Sequence, residues 1–571
     1  MKQQILDKVQ ALLPELPLAQ LAEAPKLEEH GDIAIPFFLL SKERKQSPVH
    51  IAKEYEEKLR GFQIPEIAKV EAAGPYLNIH ISLSYKAKSV LENIAEKSKT
   101  HSSFYETATK QKILVEYPSP NNNKALHLGH VRNIFLGNSL SKILKKTGNT
   151  VFKVNLNNDR GIAICKSLLS YKLWGEGKTP ESEKQKSDKF GTYYYTLFDK
   201  ENKAHPELKL EEKAQELLRL WEAGDKETLD LWRRFIDWML EGNKETYKNY
   251  KISFDKEYFE SEIYKEGKEI VQKAFENKVQ GFAKDESGAI FVDLEDKNLG
   301  KKFLLRSDGT ALYMTQDLYL AYEKEKLFHP DKYVFIVGSE QEYHFHVLFE
   351  LLSRIGFGGN EKNFHLSYGM IYLPEGRMKS REGNVVEADE LLAEQKALAK
   401  ENLKERNPNL SEEELEKRAQ IIGYSSLAFF ILKFNPRSDF VFNPKESLSF
   451  EGETGPYVQY TYARICSILR KAAYKEKAPD FTEYSDKELA LINTLAKYKD
   501  ALEEASEQYK ISALAHYLVQ LCKKFNELYQ NEPILKAGEK RKQALLYLCS
   551  CTASIIKDAL DLLDIEVLEE M

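Results

Sequence analysis

The 571-residue sequence is poor in cysteine: Cys165, Cys466, Cys522, Cys549 and Cys551 are all it has, with no Cys-x-x-Cys pair among them. An odd number at these spacings argues against a disulfide framework and against a tetrahedral zinc site, so no zinc is expected and all five read as reduced thiols in helices. No stretch approaches the ~18 uncharged apolar residues needed to span a bilayer. Met1 to Leu40 lacks the basic start and apolar run of a secretory signal. A cytoplasmic protein without a membrane partner is the expectation. An excess of positive charge is also missing: Lys plus Arg is 83 against 89 for Asp plus Glu, a net charge of −6. A general basic field for coating nucleic acid is therefore excluded, and any RNA must meet a local basic surface.

The chain does have length and an ample apolar complement, with 42% hydrophobic residues, 29 Phe and 31 Tyr. At roughly 150 residues per domain this is too much for one core, and three to four domains are expected. The first hundred residues read as one unit, with extended runs at Gly31–Leu39 and Tyr76–Ile81. The polar stretch Lys97–Lys112 reads as a linker. Ile113–Tyr117 is then a short β-prone run, followed by the polar loop Pro118–Asn123 and a segment with helical apolar spacing from Val131 to Leu144, closed by Lys145, Lys146 and Gly148. Strand, loop and helix in that order make the βα unit of a parallel sheet. Further β runs lie at Val151–Leu156 and Tyr333–Val337, the second followed by a helical pattern over His346–Leu352. Between them Trp221, Trp232 and Trp238 recur at helical intervals and are expected as core anchors of an inserted helical subdomain. From Glu390 onward the pattern is almost wholly helical, and its acidic run Glu412–Glu416 reads as a solvated helix face.

Chemistry concentrates at His127-Leu128-Gly129-His130, where the polar loop meets the helix. Two imidazoles at a positive helix end make a phosphate site, and the glycine between them would let an adenine ring approach the backbone. Four residues alone arise by chance in many chains. The surrounding Glu116-Tyr117-Pro118-Ser119-Pro120-Asn121-Asn122-Asn123-Lys124 and the later Arg377-Met378-Lys379-Ser380-Arg381-Glu382-Gly383-Asn384 resemble the two phosphate-handling signatures of class I aminoacyl-tRNA synthetases. The resemblance is to the arginyl-tRNA synthetase family in particular. It extends over His30-Gly31-Asp32, Gly74-Pro75-Tyr76-Leu77-Asn78 and the stretch Thr454–Arg464, down to the terminal methionine.

That resemblance implies a multidomain α/β chain. Residues 1–108 would form an α+β N-terminal domain that binds the tRNA elbow. Residues 109–395 would form a parallel-sheet, Rossmann-like catalytic domain with a helical insertion around 185–290, and residues 396–571 an all-α anticodon-binding domain. The implied reaction is ATP-dependent ligation of L-arginine to tRNA(Arg), with Mg²⁺ carried on ATP and the chain acting as a monomer. Glu116 and Asp317 would hold the planar guanidinium beside Tyr313, as a forked cation requires. Asn121 and Gln341 would hold the amino-acid end. Lys124, His127, Gly129, His130, Met378, Lys379, Ser380 and Arg381 would hold ATP. The second signature departs from the class pattern, because Ser380 stands where a lysine usually supplies the phosphates. In the family a lysine just before the first signature is thought to compensate, and Lys124 occupies that place. For tRNA the resemblance implies Tyr76 and Asn78 at the elbow and Tyr457, Tyr460, Arg464, Tyr529 and Met571 at the anticodon, where bases stack on rings and cations meet phosphates. Tyrosines at such intervals, Tyr462 among them, fit core packing equally well. Three rivals stay open on the sequence: a synthetase for another amino acid, an RNA-binding relative with a decayed site, and a small-molecule nucleotidyltransferase.

Overall fold

The computed structural model describes residues 2–23, 31–372, 374, 386–479 and 484–571. These fall into two compact units, one built from 1–102, 464–498 and 520–556 and the other from 103–463, 499–519 and 557–571. The last third of the chain is almost wholly helical.

In the first unit the strands Ile33–Pro36, Ile67–Ala73 and Tyr76–Ile81 make an antiparallel sheet with the last strand in the middle. Leu77, Ile79 and Ile81 alternate inward onto Ile5, Val9, Ile51 and Tyr55 of the flanking helices. The extended run expected to reach Leu39 stops at Pro36, and a helix begins at Phe38; proline has no N–H with which to continue a ladder. Gly31 takes φ +89 because a Cβ there would meet the Ile79 carbonyl at 2.8 Å. Asp32 then accepts the Ile81 N–H at 2.8 Å and pairs with Lys86 at 2.5 Å. Gly31 and Asp32 therefore hold the sheet together, while His30 lies outside the described residues. The expected linker is corrected in its first part. A helix runs over Leu83–Thr100 and ends at left-handed His101, its polar Lys97 and Lys99 suiting the negative helix end while Leu91 and Ile94 face the core. It packs on the helix Asp486–Ala496.

The second unit is organised by a five-stranded parallel sheet: β1 Lys112–Glu116, β2 Thr150–Asn157, β3 Lys256–Phe259, β4 Lys332–Gly338 and β5 Asn363–Tyr368, in the spatial order β5-β4-β1-β2-β3. Its first crossover is α1, Leu128–Lys146. The chain winds one way from β1 to β3 and the other way to β4 and β5, so the sheet changes direction between β1 and β4. The loops after those two strands flank the crevice where open parallel sheets bind ligands. Between β2 and β3 stand four long helices, α2 Ile162–Trp174, α3 Ser187–Ala204, α4 Leu210–Ala223 and α5 Lys226–Asn249, with a short turn of α-helix at Pro180–Glu183. Trp221 and Trp232 meet edge to face at 5.3 Å in their core, with Trp238 half-buried beside them. The tryptophans are core anchors, as their spacing implied. The helical segment nonetheless starts earlier and ends earlier than 185–290. β3 lies inside that range, and an antiparallel sheet of three short strands, Phe282–Lys284, Ile290–Asp293 and Lys301–Leu305, follows it. Lys-Glu-Tyr-Phe is too short and too charged to register as a strand by pattern; pairing with β2 makes it one.

Beyond the small sheet lie α6 Tyr313–Phe328, α7 Glu342–Arg354, α8 Ala388–Arg406 and α9 Glu412–Leu432. All five cysteines are helical and unbridged. Glu412 and Glu416 extend from α9 to Lys400 and Lys396 of α8 while staying largely exposed, so the acidic run is a solvated, ion-paired face.

Candidate active site

The loop after β1 runs into α1, and His127 is the N-cap of that helix. Its Nδ1 accepts the Gly129 N–H at 3.1 Å, and His130 Nδ1 accepts the His127 N–H at 3.1 Å, with the rings 4.0 Å apart. An imidazole that accepts through Nδ1 carries its proton on Nε2 when neutral, so each ring keeps one N–H for a phosphate oxygen. Both rings are neutral. Burial, and after it the ammonium of Lys124, lowers His127 to about 3; burial and the neighbouring His127 hold His130 well below the usual imidazole range. A Cβ at Gly129 would stand 3.0 Å from Cε1 of His127. The glycine makes room for the capping ring.

Met378, Lys379, Ser380 and Arg381 lie outside the described residues. The chain emerging from their loop is fixed against the first signature. Leu128 N–H donates to the Val386 carbonyl at 3.2 Å and Ala388 N–H to the Leu126 carbonyl at 2.8 Å, with His127 and Glu387 bridged antiparallel. The first signature is thus paired backbone to backbone with residues 386–388, which follow the second. Beside them a cavity of about 300 Å³ is lined by Lys124, His127, Lys189, Thr192, Tyr193 and Glu387.

At the neighbouring strand ends, exposed Asn121 follows β1 and exposed Gln341 follows β4. Asn121 is held by its bridge to Asn158 after β2. Asp317, on α6, has Oδ2 at 3.0 Å from His344 Nε2 on α7, and this hydrogen bond raises the His344 pKa. Tyr313, one turn before Asp317, is 73% exposed and open to a ligand.

Glu116 is not brought to Asp317. Its carboxylate forms a buried ion pair with Lys324, the two side chains only 10% and 3% exposed. Lys324 lies seven residues beyond Asp317 on α6, about 10 Å along the axis at 1.5 Å per residue. Glu116, at the end of β1, points from the sheet toward Lys324 of the covering helix. The acid that shares the field of Asp317 is Glu260, just after β3. Burial, opposed by Arg160 and reinforced by Asp159 and Asp317, raises Glu260 to about 7. Arg160 lies 3.9 Å from Glu260 and 2.6 Å from Glu222, over the ring of Tyr264 at 4.0 Å. Buried Asp159 accepts both the N–H and the hydroxyl of Ser261 at 2.8 and 2.6 Å and so fixes the turn that carries Glu260. Sequence reasoning missed Glu260 because its only signal was the unrecognised strand before it.

The expected tRNA contacts divide. Tyr76 is half-buried, edge to face with exposed Phe38 at 5.7 Å. Asn78 is 2% exposed, enclosed between strands on both sides. In the helix Gly455–Lys471, Tyr457 and Tyr460 are half-buried and Tyr462 is core. Arg464 reaches Asn526 Oδ1 at 2.6 Å and stands 5.1 Å over the ring of Tyr529, which is 40% exposed. Met571 packs on the cluster that includes Ala399, Leu403 and Leu415.

A parallel sheet with a change of direction at β1 and β4, a histidine-capped helix at that point and the backbone of 386–388 paired with the loop before that helix define a class I aminoacyl-tRNA synthetase. The families described as "tRNA synthetases class I (R), catalytic domain", "DALR anticodon binding domain" and "Arginyl tRNA synthetase N terminal domain" match residues 91–444, 458–571 and 1–81. The arginine–tRNA ligase of Treponema denticola is 43% identical over 99% of this chain and 98% of its own, and that of Parabacteroides distasonis 41% over 96% and 94%. The structure of the Thermus thermophilus arginyl-tRNA synthetase superposes with a TM-score of 0.77 at 26% identity, over 96% of both chains. The chain belongs to the arginyl-tRNA synthetase family.

Proposed function

We propose an assignment of residues to the reaction of this family, ATP-dependent ligation of L-arginine to tRNA(Arg) through an arginyl-adenylate. The chain is an enzyme of that kind. In the first step a carboxylate oxygen of arginine attacks the α-phosphorus of ATP and the bond to the β-phosphate breaks, releasing pyrophosphate. In the second a ribose hydroxyl at the 3′ end of tRNA attacks the arginyl carbonyl, loses its proton and releases AMP. No side chain becomes bonded to substrate, so the protein contributes position and charge.

In this reading the Nε2–H groups of His127 and His130 donate to phosphate oxygens at the helix end, and Lys124, Lys379 and Arg381 supply the positive charge that neutral imidazoles do not, with Met378 and Ser380 beside them. Mg²⁺ enters bound to the nucleotide, where phosphate oxygens and water fill most of its octahedral shell. Asn121 and Gln341 hold the amino-acid end of arginine. Asp317 and Glu260 hold the guanidinium, Tyr313 covers it, and His344 orients Asp317. Two ionised acids around one fixed cation are consistent with the raised Glu260, whose charged form a guanidinium stabilises. The observation that carries the assignment is the backbone pairing of Leu126–Leu128 with Val386–Ala388, since it supports the convergence of both sets of phosphate ligands on one helix end.

The family matches support an elbow-binding role for the first hundred residues and an anticodon role for the last hundred, with Tyr76, Tyr457, Tyr460, Arg464, Tyr529 and Met571 as contacts. The catalytic part extends beyond 395, to about the matched boundary at 444. A cytoplasmic monomer completes the proposal; among the described residues no helix is long and apolar enough to cross a membrane. Pyrophosphate exchange across the amino acids, with and without tRNA, tests it. Exchange that depends on arginine and is strengthened by tRNA(Arg) is expected, and exchange supported by another amino acid in place of arginine would sink it.

A further inference from the structure

The loop that carries Lys124 is tied to the helical segment by Asn243, whose Nδ2 donates to Asn122 Oδ1 at 3.0 Å, and, next to Lys124 itself, by Thr192. Thr192 Oγ1, on α3, accepts the Ala125 N–H at 2.6 Å and donates its own proton to the Asp188 carbonyl at 2.8 Å, one turn back. A β-branched residue in a helix has few rotamers, and this back-bond leaves a lone pair of Oγ1 aimed outward at the loop. Asp188 is itself held by an ion pair. Its buried carboxylate accepts from the Lys186 ammonium at 2.9 Å, and the same ammonium reaches Asp389 at 2.6 Å and Thr246 at 2.5 Å. Asp389 is further held by Asn249 at 2.9 Å. Asp389 follows Ala388, whose N–H is bonded to Leu126. The path closes on itself, from the Lys124 loop through Thr192, Asp188, Lys186 and Asp389 back to that loop.

We propose that Thr192 is a positioning residue for adenylate formation, fixing the backbone next to Lys124 so that its ammonium is presented to the leaving pyrophosphate. This rests on the reading of Lys124 given above. Thr192 acts on the rate through the peptide of Ala125. A hydroxyl is required because the loop offers a donor and the helix an acceptor, and only a group with both functions can join them.

The test uses the full-length enzyme with tRNA bound and measures single-turnover formation of arginyl-adenylate, together with apparent affinities for ATP and arginine and a thermal melt. Thr192→Val keeps the shape and removes the hydroxyl; Thr192→Ser keeps the hydroxyl. The valine variant should be slowed about tenfold, with arginine affinity within about twofold, and the serine variant should return to within about twofold of wild type. Adding Thr192→Val to Lys124→Ala should slow the enzyme no further than Lys124→Ala does alone, because the two act through one group. A valine variant at the wild-type rate overturns the proposal while leaving Lys124 in place. So does equal slowing by valine and serine, which would mean packing, or a multiplicative effect in the double variant. If Lys124→Ala itself runs at the wild-type rate, the reading of Lys124 falls and the proposal with it.

Discussion

Asp317 Oδ2 lies 3.0 Å from His344 Nε2, so the carboxylate assigned to arginine's guanidinium already has a partner that titrates. The hydrogen bond to Asp317 raises His344 above its ordinary 6.5. Its stabilisation of the fold is complete below the unfolded value and is lost as pH rises through the folded one. For substrate the sign is opposite. A protonated His344 competes with guanidinium for Asp317, and Glu260, at about 7, is half neutral in the same range.

Arginine affinity should therefore rise as pH goes from 6 to 8, by up to about tenfold for each proton released per pH unit. His344→Gln and Glu260→Gln should each flatten part of the slope of arginine KM against pH. A wild-type profile that is flat over this interval would detach both residues from the arginine site.

Glu116 and Lys324 make the opposite case, an ion pair buried between sheet and helix. Glu116→Ala strands an ammonium in the core and should cost about 3–5 kcal/mol, while Glu116→Leu with Lys324→Met should recover most of that loss. Urea unfolding of the three proteins decides it. A Glu116→Ala enzyme of wild-type stability but with weakened arginine binding would return Glu116 to the substrate.

These two pairs mark how far the sequence could be read. The β1–loop–α1 unit carries its own signals in order, a β-prone run, a polar loop with Pro and Asn, and a helix start marked by both histidines, so its fold was legible locally. Glu260 was not, because β3 exists only through its pairing with β2. Glu116 was assigned correctly to a strand end, but its direction depends on Lys324, which is 208 residues away and looks in sequence like any other lysine on a charged helix. The burial of Asn78 was hidden in the same way: a polar residue in a strand reads as exposed until sheet partners on both sides cover it.

The C-terminal Met571 packs on the cluster around Ala399 and Leu415, and its neighbour Glu570 reaches Arg418 at 3.5 Å. Removing 569–571 should therefore lower stability by about 1 kcal/mol from lost apolar burial, with little from the exposed ion pair. If Met571 also meets the anticodon, Met571→Leu should restore the melting temperature but not the KM for tRNA. Restoration of both by leucine would limit the residue to packing.

The sharpest prediction concerns Lys124, because the structure removes two other sources of charge. His127 and His130 are neutral where they cap α1, so they can donate hydrogen bonds to phosphate but cannot balance the charge that builds on departing pyrophosphate. The second signature has Ser380 where a lysine would otherwise stand. Lys124 is close enough to both imidazoles to depress their pKa values, and it lines the cavity beside His127. Lys124→Ala should slow adenylate formation by about 10²- to 10³-fold, the usual effect of losing one transition-state donor, with arginine affinity nearly unchanged. It should also release His127 toward a higher pKa, since a neighbouring positive charge is gone, and NMR titration of the imidazole would register that shift independently of turnover. Ser380→Lys in the same background should recover part of the rate by bringing an ammonium back through the second signature. A single-turnover rate within about threefold of wild type, less than roughly 1 kcal/mol of lost stabilisation, would leave Lys379 and Arg381 as the cations that carry the step.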